Sequence, residues 1–84
     1  MTNLTYNKTF SLQLFKGSTL LKEIKLKSIP VTIEAFKHQI RKNFKDNLQE
    51  KDKFQLISDD QPIENDFQLA QIPDRSYLKV IIIE

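Results

Sequence analysis

Hydrophobic residues in this chain repeat at every second position near the N-terminal end and at helical spacing in the middle. Over residues 9–15, apolar and polar side chains alternate, which is the pattern of a strand with one buried face. Over residues 32–44, apolar residues recur three and four positions apart, which places them on one face of a helix. This apolar stripe consists of Ile33, Phe36, Ile40 and Phe44. The stripe must be buried, and the apolar face of a sheet is a suitable surface to cover it.

Turn-forming residues divide the rest of the chain into further strands. Gly17, the only glycine, predicts a hairpin turn between the first strand and a second one. Clusters of turn-forming residues at 58–62 and 73–76 predict two later turns. The segment between them is predicted to be irregular and to be anchored to the core by Ile63 and Phe67. The predicted elements are strands at 9–15 and 19–26, a helix at 32–44, and strands at 54–57 and 77–83.

This order of elements predicts an α+β fold. A first hairpin and a last strand on either side of one helix indicate a mixed sheet of four to five strands packed on that helix, which is the β-grasp arrangement. The last strand is the most apolar, so we expect it in the centre of the sheet beside the first. With 84 residues the chain has the length of one domain. We take this domain to span residues 1–84, with disorder expected over residues 1–8.

Composition argues against catalysis. The chain has no cysteine, so a disulfide, a thiolate nucleophile and a cysteine metal site are impossible. His38, the only histidine, lies off the helix stripe, with no second metal ligand and no nucleophile beside it. The sequence shows no nucleophile–base pair, glycine-rich loop or metal-ligand set. We therefore expect neither an enzyme nor a bound cofactor or metal.

The charge pattern and the N-terminal segment argue against nucleic acid and membranes as partners. Four basic residues on and after the predicted helix lack interleaved aromatic residues, and the net charge is only +2. They are Lys37, Arg41, Lys42 and Lys45. The N-terminus lacks the basic and then apolar pattern of a signal peptide, and the longest apolar run, at residues 80–83, is far too short to span a bilayer. We expect a cytoplasmic protein.

The helix segment resembles the start of the ubiquitin helix. Residues 32–40 read Thr-Ile-Glu-Ala-Phe-Lys-His-Gln-Ile, with the family's Thr-Ile-Glu opening, an apolar residue four positions after the Thr, and an Ile near the end of the second turn. Later apolar positions fall in the order of the family's anchors. They are Leu56, Ile57, Ile63, Phe67, Ile72, Leu78 and Val80. The resemblance runs from about residue 10 to residue 83 and implies a ubiquitin-like β-grasp fold that binds other proteins.

The last third of the sequence is similar, more narrowly, to small bacterial ubiquitin-like proteins of the YukD/EsaB type. The similarity lies in Glu64-Asn65-Asp66, Gln71-Ile72, Asp74 and Leu78-Lys79. The chain departs from that pattern at Arg75-Ser76, where a Gly is usual, and in its Ile83-Glu84 ending. Those proteins are cytoplasmic accessory components of type VII (WXG100) secretion systems. The resemblance implies the same role here, with a secretion-system component as the partner.

The end of the sequence bears on the mechanism. Ubiquitin, its conjugated relatives and the sulfur carriers of this fold act through a flexible tail that ends in Gly-Gly. This sequence stops at Glu84, directly after the predicted last strand, and has no Gly-Gly. We therefore expect non-covalent binding rather than conjugation or sulfur carriage.

Strand alternation predicts which residues face away from the helix. If the apolar residues at 10, 12 and 14 are buried, Phe15 points outward, and the same reasoning turns Ile57, Lys79 and Ile81 outward. These four residues are the predicted partner-binding site. By resemblance, Ile57 and Ile81 match two members of ubiquitin's recognition patch. A contiguous exposed apolar patch usually marks an interaction site, whereas scattered exposed apolar residues are common.

Two other interpretations stay open. The acidic group Asp59, Asp60, Glu64 and Asp66 lacks the spacing of a calcium-binding loop. It is similar to the acidic half of a PB1 domain, whose basic half would come from Lys16, Lys22 or Lys25. Such a scaffold domain would self-associate in a salt-sensitive way. The other interpretation is a ubiquitin-like module of a eukaryotic adaptor. For the chain as a whole we expect a monomer or a weak homo-oligomer.

Overall fold

The computed structural model describes residues 4–49 and 51–83, so the predictions that concern residues 1–3 and 84 lie outside the described residues. In chain order the elements are β1 (Thr5–Tyr6), β2 (Phe10–Lys16), β3 (Thr19–Leu26), β4 (Ile29–Pro30), α1 (Ile33–Asn43), β5 (Lys53–Ser58), β6 (Gln61–Pro62), α2 (Asp66–Gln71) and β7 (Ser76–Ile83). The four predicted strands and the predicted helix are confirmed at nearly the predicted bounds.

Five strands form one mixed sheet in the order β3-β2-β7-β5-β6. β2 pairs antiparallel with β3 and parallel with β7, and β7 pairs antiparallel with β5. The prediction of a mixed sheet with the last strand in its centre, beside the first, is confirmed. A central position suits β7, because it is the strand with the longest run of apolar residues, and its inward residues Leu78 and Val80 are fully buried.

A second, two-stranded sheet lies outside the predicted elements. β1 pairs antiparallel with β4, with Thr5 opposite Pro30 and Tyr6 opposite Ile29. Residues 5 and 6 of the segment 1–8 are therefore paired. The proline is tolerated because this is a short strand outside the main sheet, where a missing N–H breaks no central ladder.

α1 begins and ends where the sequence signals place it. Thr32 is the N-cap, and its Oγ1 accepts a hydrogen bond from the backbone N–H of Ala35 at 3.3 Å. Glu34 lies in the first turn, and Arg41 and Lys42 lie in the last turn, so each charge opposes the nearby end of the helix dipole. The predicted capping of this helix is confirmed.

The core lies between α1 and one face of the sheet. Phe36, Ile40 and Phe44 are fully buried, and Ile33 is half-buried against them. The other buried residues are Phe10, Leu12, Leu14, Ile29, Leu48, Phe54, Leu56, Ile63, Leu69, Ile72, Leu78 and Val80. Large side chains of this kind each gain roughly 1.5–3 kcal/mol on burial. The predicted stripe and the predicted inward-facing strand residues therefore form the hydrophobic core.

The segment between the two late turns is a short helix, and one of its two predicted anchors is wrong. Ile63 is buried as predicted, but Phe67 is 73% exposed. Leu69 is fully buried in its place. Residues two apart on a helix point about 200° apart, so Phe67 and Leu69 cannot both face the core. Asn65 caps this helix, and its side chain accepts a hydrogen bond from the N–H of Gln68 at 2.8 Å.

Lys8 joins the segment before β2 to the C-terminal end of α2. Its Nζ donates hydrogen bonds to the carbonyl oxygens of Ala70, at 3.0 Å, and of Ile72, at 2.9 Å. The ammonium also lies 4.9 Å from the centre of the Tyr6 ring. The carbonyls at the end of a helix lack intrahelical partners, and a cation there is favourable.

We expect Lys8→Met to lower the free energy of unfolding by about 1.5–3 kcal/mol, the usual contribution of hydrogen bonds to a charged group. The Met side chain keeps the apolar part of the lysine but leaves the carbonyl oxygens of Ala70 and Ile72 without this donor. Urea unfolding measures the difference. Lys51→Met, at an exposed position, is the matched control and should change stability by less than about 0.5 kcal/mol. Equal effects of the two changes would mean that the bonds of Lys8 contribute nothing specific.

Candidate protein-interaction surface

The side of the sheet that faces away from α1 is here called the outer face. It is built by the residues that alternate with the buried ones on the three inner strands. They are Ser11, Gln13 and Phe15 on β2, Tyr77, Lys79, Ile81 and Ile83 on β7, and Lys53, Gln55 and Ile57 on β5. Each of them is half-buried or exposed. Neither helix covers this face because the core contacts of α1 and α2 come from the opposite side of the sheet.

The strand register brings the four predicted site residues together. Phe15 lies directly opposite Ile81 in the β2–β7 pair, and Ile57 lies directly opposite Lys79 in the β5–β7 pair. The Nζ of Lys79 lies 5.8 Å from the centre of the Phe15 ring, which is within the range of a cation–π contact. Directly opposite and diagonal neighbours on a sheet are within reach of one another. The four side chains therefore form one patch.

Sequence reasoning missed three apolar residues that extend this patch. Leu20 on β3 lies opposite Phe15 and is 49% exposed, and Pro62 on β6 lies opposite Ile57 and is exposed. Tyr77, two residues before Lys79 on the same face, is 65% exposed. The alternation along β7 could have found Tyr77. Placing Leu20 and Pro62 on this patch requires the register of the edge strands, which cannot be derived from the sequence pattern.

The outer face combines an apolar strip with two lysines of the inner strands, Lys53 and Lys79. The strip crosses all five strands of the sheet, from Leu20 on one edge strand to Pro62 on the other, and Lys79 lies on its middle strand. Apolar surface of this kind is stabilised when a partner removes it from water, and a lysine stem packs against such a partner while its ammonium stays at the rim. The arrangement suits protein–protein contact.

Three of the four basic residues singled out in the sequence, Arg41, Lys42 and Lys45, line a groove of about 650 Å³ beside the C-terminal end of α1. His38, Lys42 and Lys45 are exposed there. Arg41 serves the fold instead: its Nη1 donates to the carbonyl oxygen of Gln49 at 3.0 Å, and its guanidinium lies 4.9 Å from the centre of the Phe54 ring. It thereby holds the connection that follows the helix.

The acidic residues singled out in the sequence lie in a turn and at the starts of helices. Asp59 and Asp60 have φ of 50° and 64° and form the two-residue turn between β5 and β6, a conformation that Asp adopts more readily than most residues. The Oδ1 of Asp66 accepts a hydrogen bond from the N–H of Ile33 at 2.7 Å and so links the starts of the two helices. Within residues 4–49 and 51–83, no three His, Cys, Asp or Glu side chains are grouped closely enough to hold a metal ion.

Comparison of the chain with protein-family models, with curated proteins and with solved structures gives no match. Among the described residues, neither helix has the length and apolar character needed to cross a membrane.

Proposed function

We propose that this chain is a ubiquitin-like β-grasp domain that binds another protein non-covalently through the outer face of its sheet. One observation carries the proposal: Phe15, Ile57, Lys79 and Ile81, on three different strands, form a single patch that no element of the described chain covers. Isolated surface apolar residues need no explanation, but a contiguous patch on a small domain usually marks a binding site.

The β-grasp part of the proposal is supported by the sheet order and by the position of the helix. That fold has a hairpin, here β2 and β3, followed by a helix packed on one face of the sheet. Its last strand, here β7, pairs parallel with the first strand of the hairpin. The resemblance of residues 32–40 to the ubiquitin helix supports it independently, because those residues form the capped start of α1.

The more specific proposal is an accessory role in type VII secretion, which rests on the resemblance to YukD/EsaB-type proteins. The Arg75-Ser76 pair departs from that family's usual Gly, but the backbone there keeps a conformation that suits glycine, because Arg75 has a φ of 65°, in the left-handed region that glycine adopts without strain. A cytoplasmic secretion-system component would then be the partner of the outer face. No cofactor and no catalytic step enters this proposal.

The test compares the wild type with the double variant Ile57→Ser/Ile81→Ser. We expect the double variant to stay folded, because both residues lie on the outer face and neither belongs to the fully buried core. Its affinity for the partner should fall by about 30-fold or more, since truncation of the hot-spot residues of an interface removes about 2 kcal/mol or more. Wild type and double variant are immobilised, and the proteins that each retains from a lysate of the source cells are compared. The affinity of a retained partner for wild type and for the double variant is then measured by calorimetry.

Phe67→Ser is the matched control. It removes a more exposed apolar side chain, 73% exposed, from α2 rather than from the outer face. Circular dichroism checks that all variants are folded. If the double variant binds the partner as tightly as the wild type does, the outer face is not the site. If the retained partner is not a secretion-system component, the binding role stands and the secretion role fails.

The PB1-like scaffold is a second candidate because the charged groups lie at opposite edges of the sheet. The carboxylates of Asp59 and Asp60 lie in the turn between β5 and β6, whereas Lys22 and Lys25 lie on β3 at the other edge. Opposite edges of opposite charge permit head-to-tail association, which builds open chains rather than closed dimers. Chains that grow with protein concentration and dissolve in salt would favour this candidate.

A further inference from the structure

The main sheet has one long open edge. β3 lies at the end of the strand order and pairs with β2 on one side, and no strand within residues 4–49 and 51–83 pairs with its other side. The other edge strand, β6, consists only of Gln61 and Pro62, and proline has no N–H to donate. An open edge presents unpaired N–H and C=O groups that another strand can bind. β3 is therefore the one edge of the described sheet that offers a full strand.

A bulge limits the part of β3 that can accept a regular partner. The register between β2 and β3 shifts between Leu14 and Phe15, which leaves Leu21 without an opposite residue. From Lys22 to Leu26 the register is unbroken. A bulge bends the strand and raises its twist, so an added strand would pair with the stretch 22–26.

The stretch 22–26 is complementary to itself. If two copies of it run antiparallel, centred on Ile24, then Glu23 of each copy lies opposite Lys25 of the other. Opposite charges directly across antiparallel strands attract, and like charges repel. The two neighbouring registers are centred on Glu23 or on Lys25 and so place like charges opposite each other. The charge sequence therefore favours the register centred on Ile24.

The side chains around this edge are available for the contact. Glu23 and Lys25 are exposed and lie on the outer-face side, opposite Gln13 and Ser11. The Nε2 of Gln13 donates to Glu23 Oε2 at 2.8 Å, which holds the carboxylate in place while its oxygens can still accept further bonds. Ile24 points to the other side, packs against the core and is only half-buried. A second Ile24 opposite it would complete its burial.

We propose that β3 pairs with β3 of a second copy of this chain, antiparallel and centred on Ile24, to form a symmetric dimer. The contact uses the same stretch of both copies, so it closes after two chains. The two five-stranded sheets become one, and both α1 helices lie on the same side of it. The partner-binding patch stays open in both copies because the contact uses the edge of the sheet.

The proposal is tested with variants in which the charges at positions 23 and 25 are reversed. Sedimentation equilibrium measures the dimerisation of each variant, and circular dichroism checks that each is folded. Wild type should form dimers and no larger species. Lys25→Glu and Glu23→Lys each turn two attractive pairs into two repulsive ones, so each should weaken the dimer at least about tenfold. The double variant Glu23→Lys/Lys25→Glu restores the pairs and should dimerise like the wild type. When wild type and double variant are mixed, mixed dimers should be disfavoured.

Lys37→Glu is the matched control for Lys25→Glu, because it makes the same change in net charge at an exposed position in the middle of α1. It should leave the dimer unchanged. A wild type that stays monomeric up to about 1 mM, where only about 4 kcal/mol of binding free energy is needed, would overturn the proposal. A Glu23→Lys variant that associates more strongly would also overturn it, since that result fits the head-to-tail scaffold. Loss of partner binding in the outer-face variant leaves this proposal intact, because the two sites do not overlap.

Discussion

Replacing Phe36 with Ala is expected to lower the free energy of unfolding by about 3–5 kcal/mol. Phe36 is fully buried and lies in the middle of the apolar stripe of α1, where the helix meets the sheet. Truncation to Ala exchanges the ring for a cavity that a close-packed core closes only in part. A small domain has a total stability of roughly 5–15 kcal/mol, so this single change removes a large share of it.

Urea unfolding followed by circular dichroism measures the loss. Lys37→Ala is the control, since Lys37 is the next residue on the same helix but is exposed, and Ala favours helices at least as well. Its effect should stay below about 0.5 kcal/mol. Ile40→Ala, one turn later in the same stripe, should cost about 2–5 kcal/mol. If Phe36→Ala and Lys37→Ala have equal effects, α1 does not pack through this face.

The sequence predicted α1 and the central sheet well because there the hydrophobic period and the local signals agree. The stripe that contains Phe36 and Ile40 has helical spacing, and the N-cap at Thr32 marks the same start that the stripe indicates. β7 was placed in the centre because it is the most apolar of the predicted strands, and its inward residues Leu78 and Val80 are fully buried there. An element can be predicted when its hydrophobic period and its capping residues indicate the same bounds.

The candidate patch was partly predictable for a related reason. A strand has a period of two, so an inward Leu78 and Val80 turn Lys79 and Ile81 outward without any knowledge of the fold. The neighbours across the strands are a different matter. Whether Leu20 or another residue lies beside Phe15 depends on a bulge in the hairpin, and a shift of one residue changes the face of every side chain in a strand.

The connections were the least predictable part. Leu48, in the segment between α1 and β5, is 3% exposed, although its neighbours are polar and have no periodicity. Two hydrogen bonds hold the segment beside the end of α1: Arg41 Nη1 donates to the carbonyl oxygen of Gln49 at 3.0 Å, and the N–H of Leu48 donates to the carbonyl oxygen of Phe44 at 2.7 Å. A connection of this kind has no hydrophobic period of its own, which is why propensity alone cannot place it.

The anchor in α2 was predicted wrongly for the same reason, because a short segment without a hydrophobic period does not show which of its apolar residues is buried. Leu69→Ala should lower the free energy of unfolding by about 2–5 kcal/mol, whereas Phe67→Ala should change it by less than about 0.5 kcal/mol. The larger side chain is the dispensable one because Phe67 is 73% exposed and Leu69 is fully buried. Side-chain size alone would rank the two losses in the opposite order, so the two variants separate the effect of burial from the effect of residue size.

Both variants replace a large apolar residue with Ala on the same six-residue helix, so helix propensity changes little and in the same direction in each. The difference between their urea midpoints therefore measures which face of α2 meets the core. Equal losses would place both side chains against the core and would require the segment to leave the helical conformation, since a helix points them about 200° apart. A silent Leu69→Ala together with a costly Phe67→Ala would restore Phe67 as the anchor and turn α2 by half a revolution. If Leu69→Ala costs more than Phe67→Ala, as expected, Phe67 is exposed apolar surface away from the outer face. Phe67→Ser is then a suitable control for partner binding.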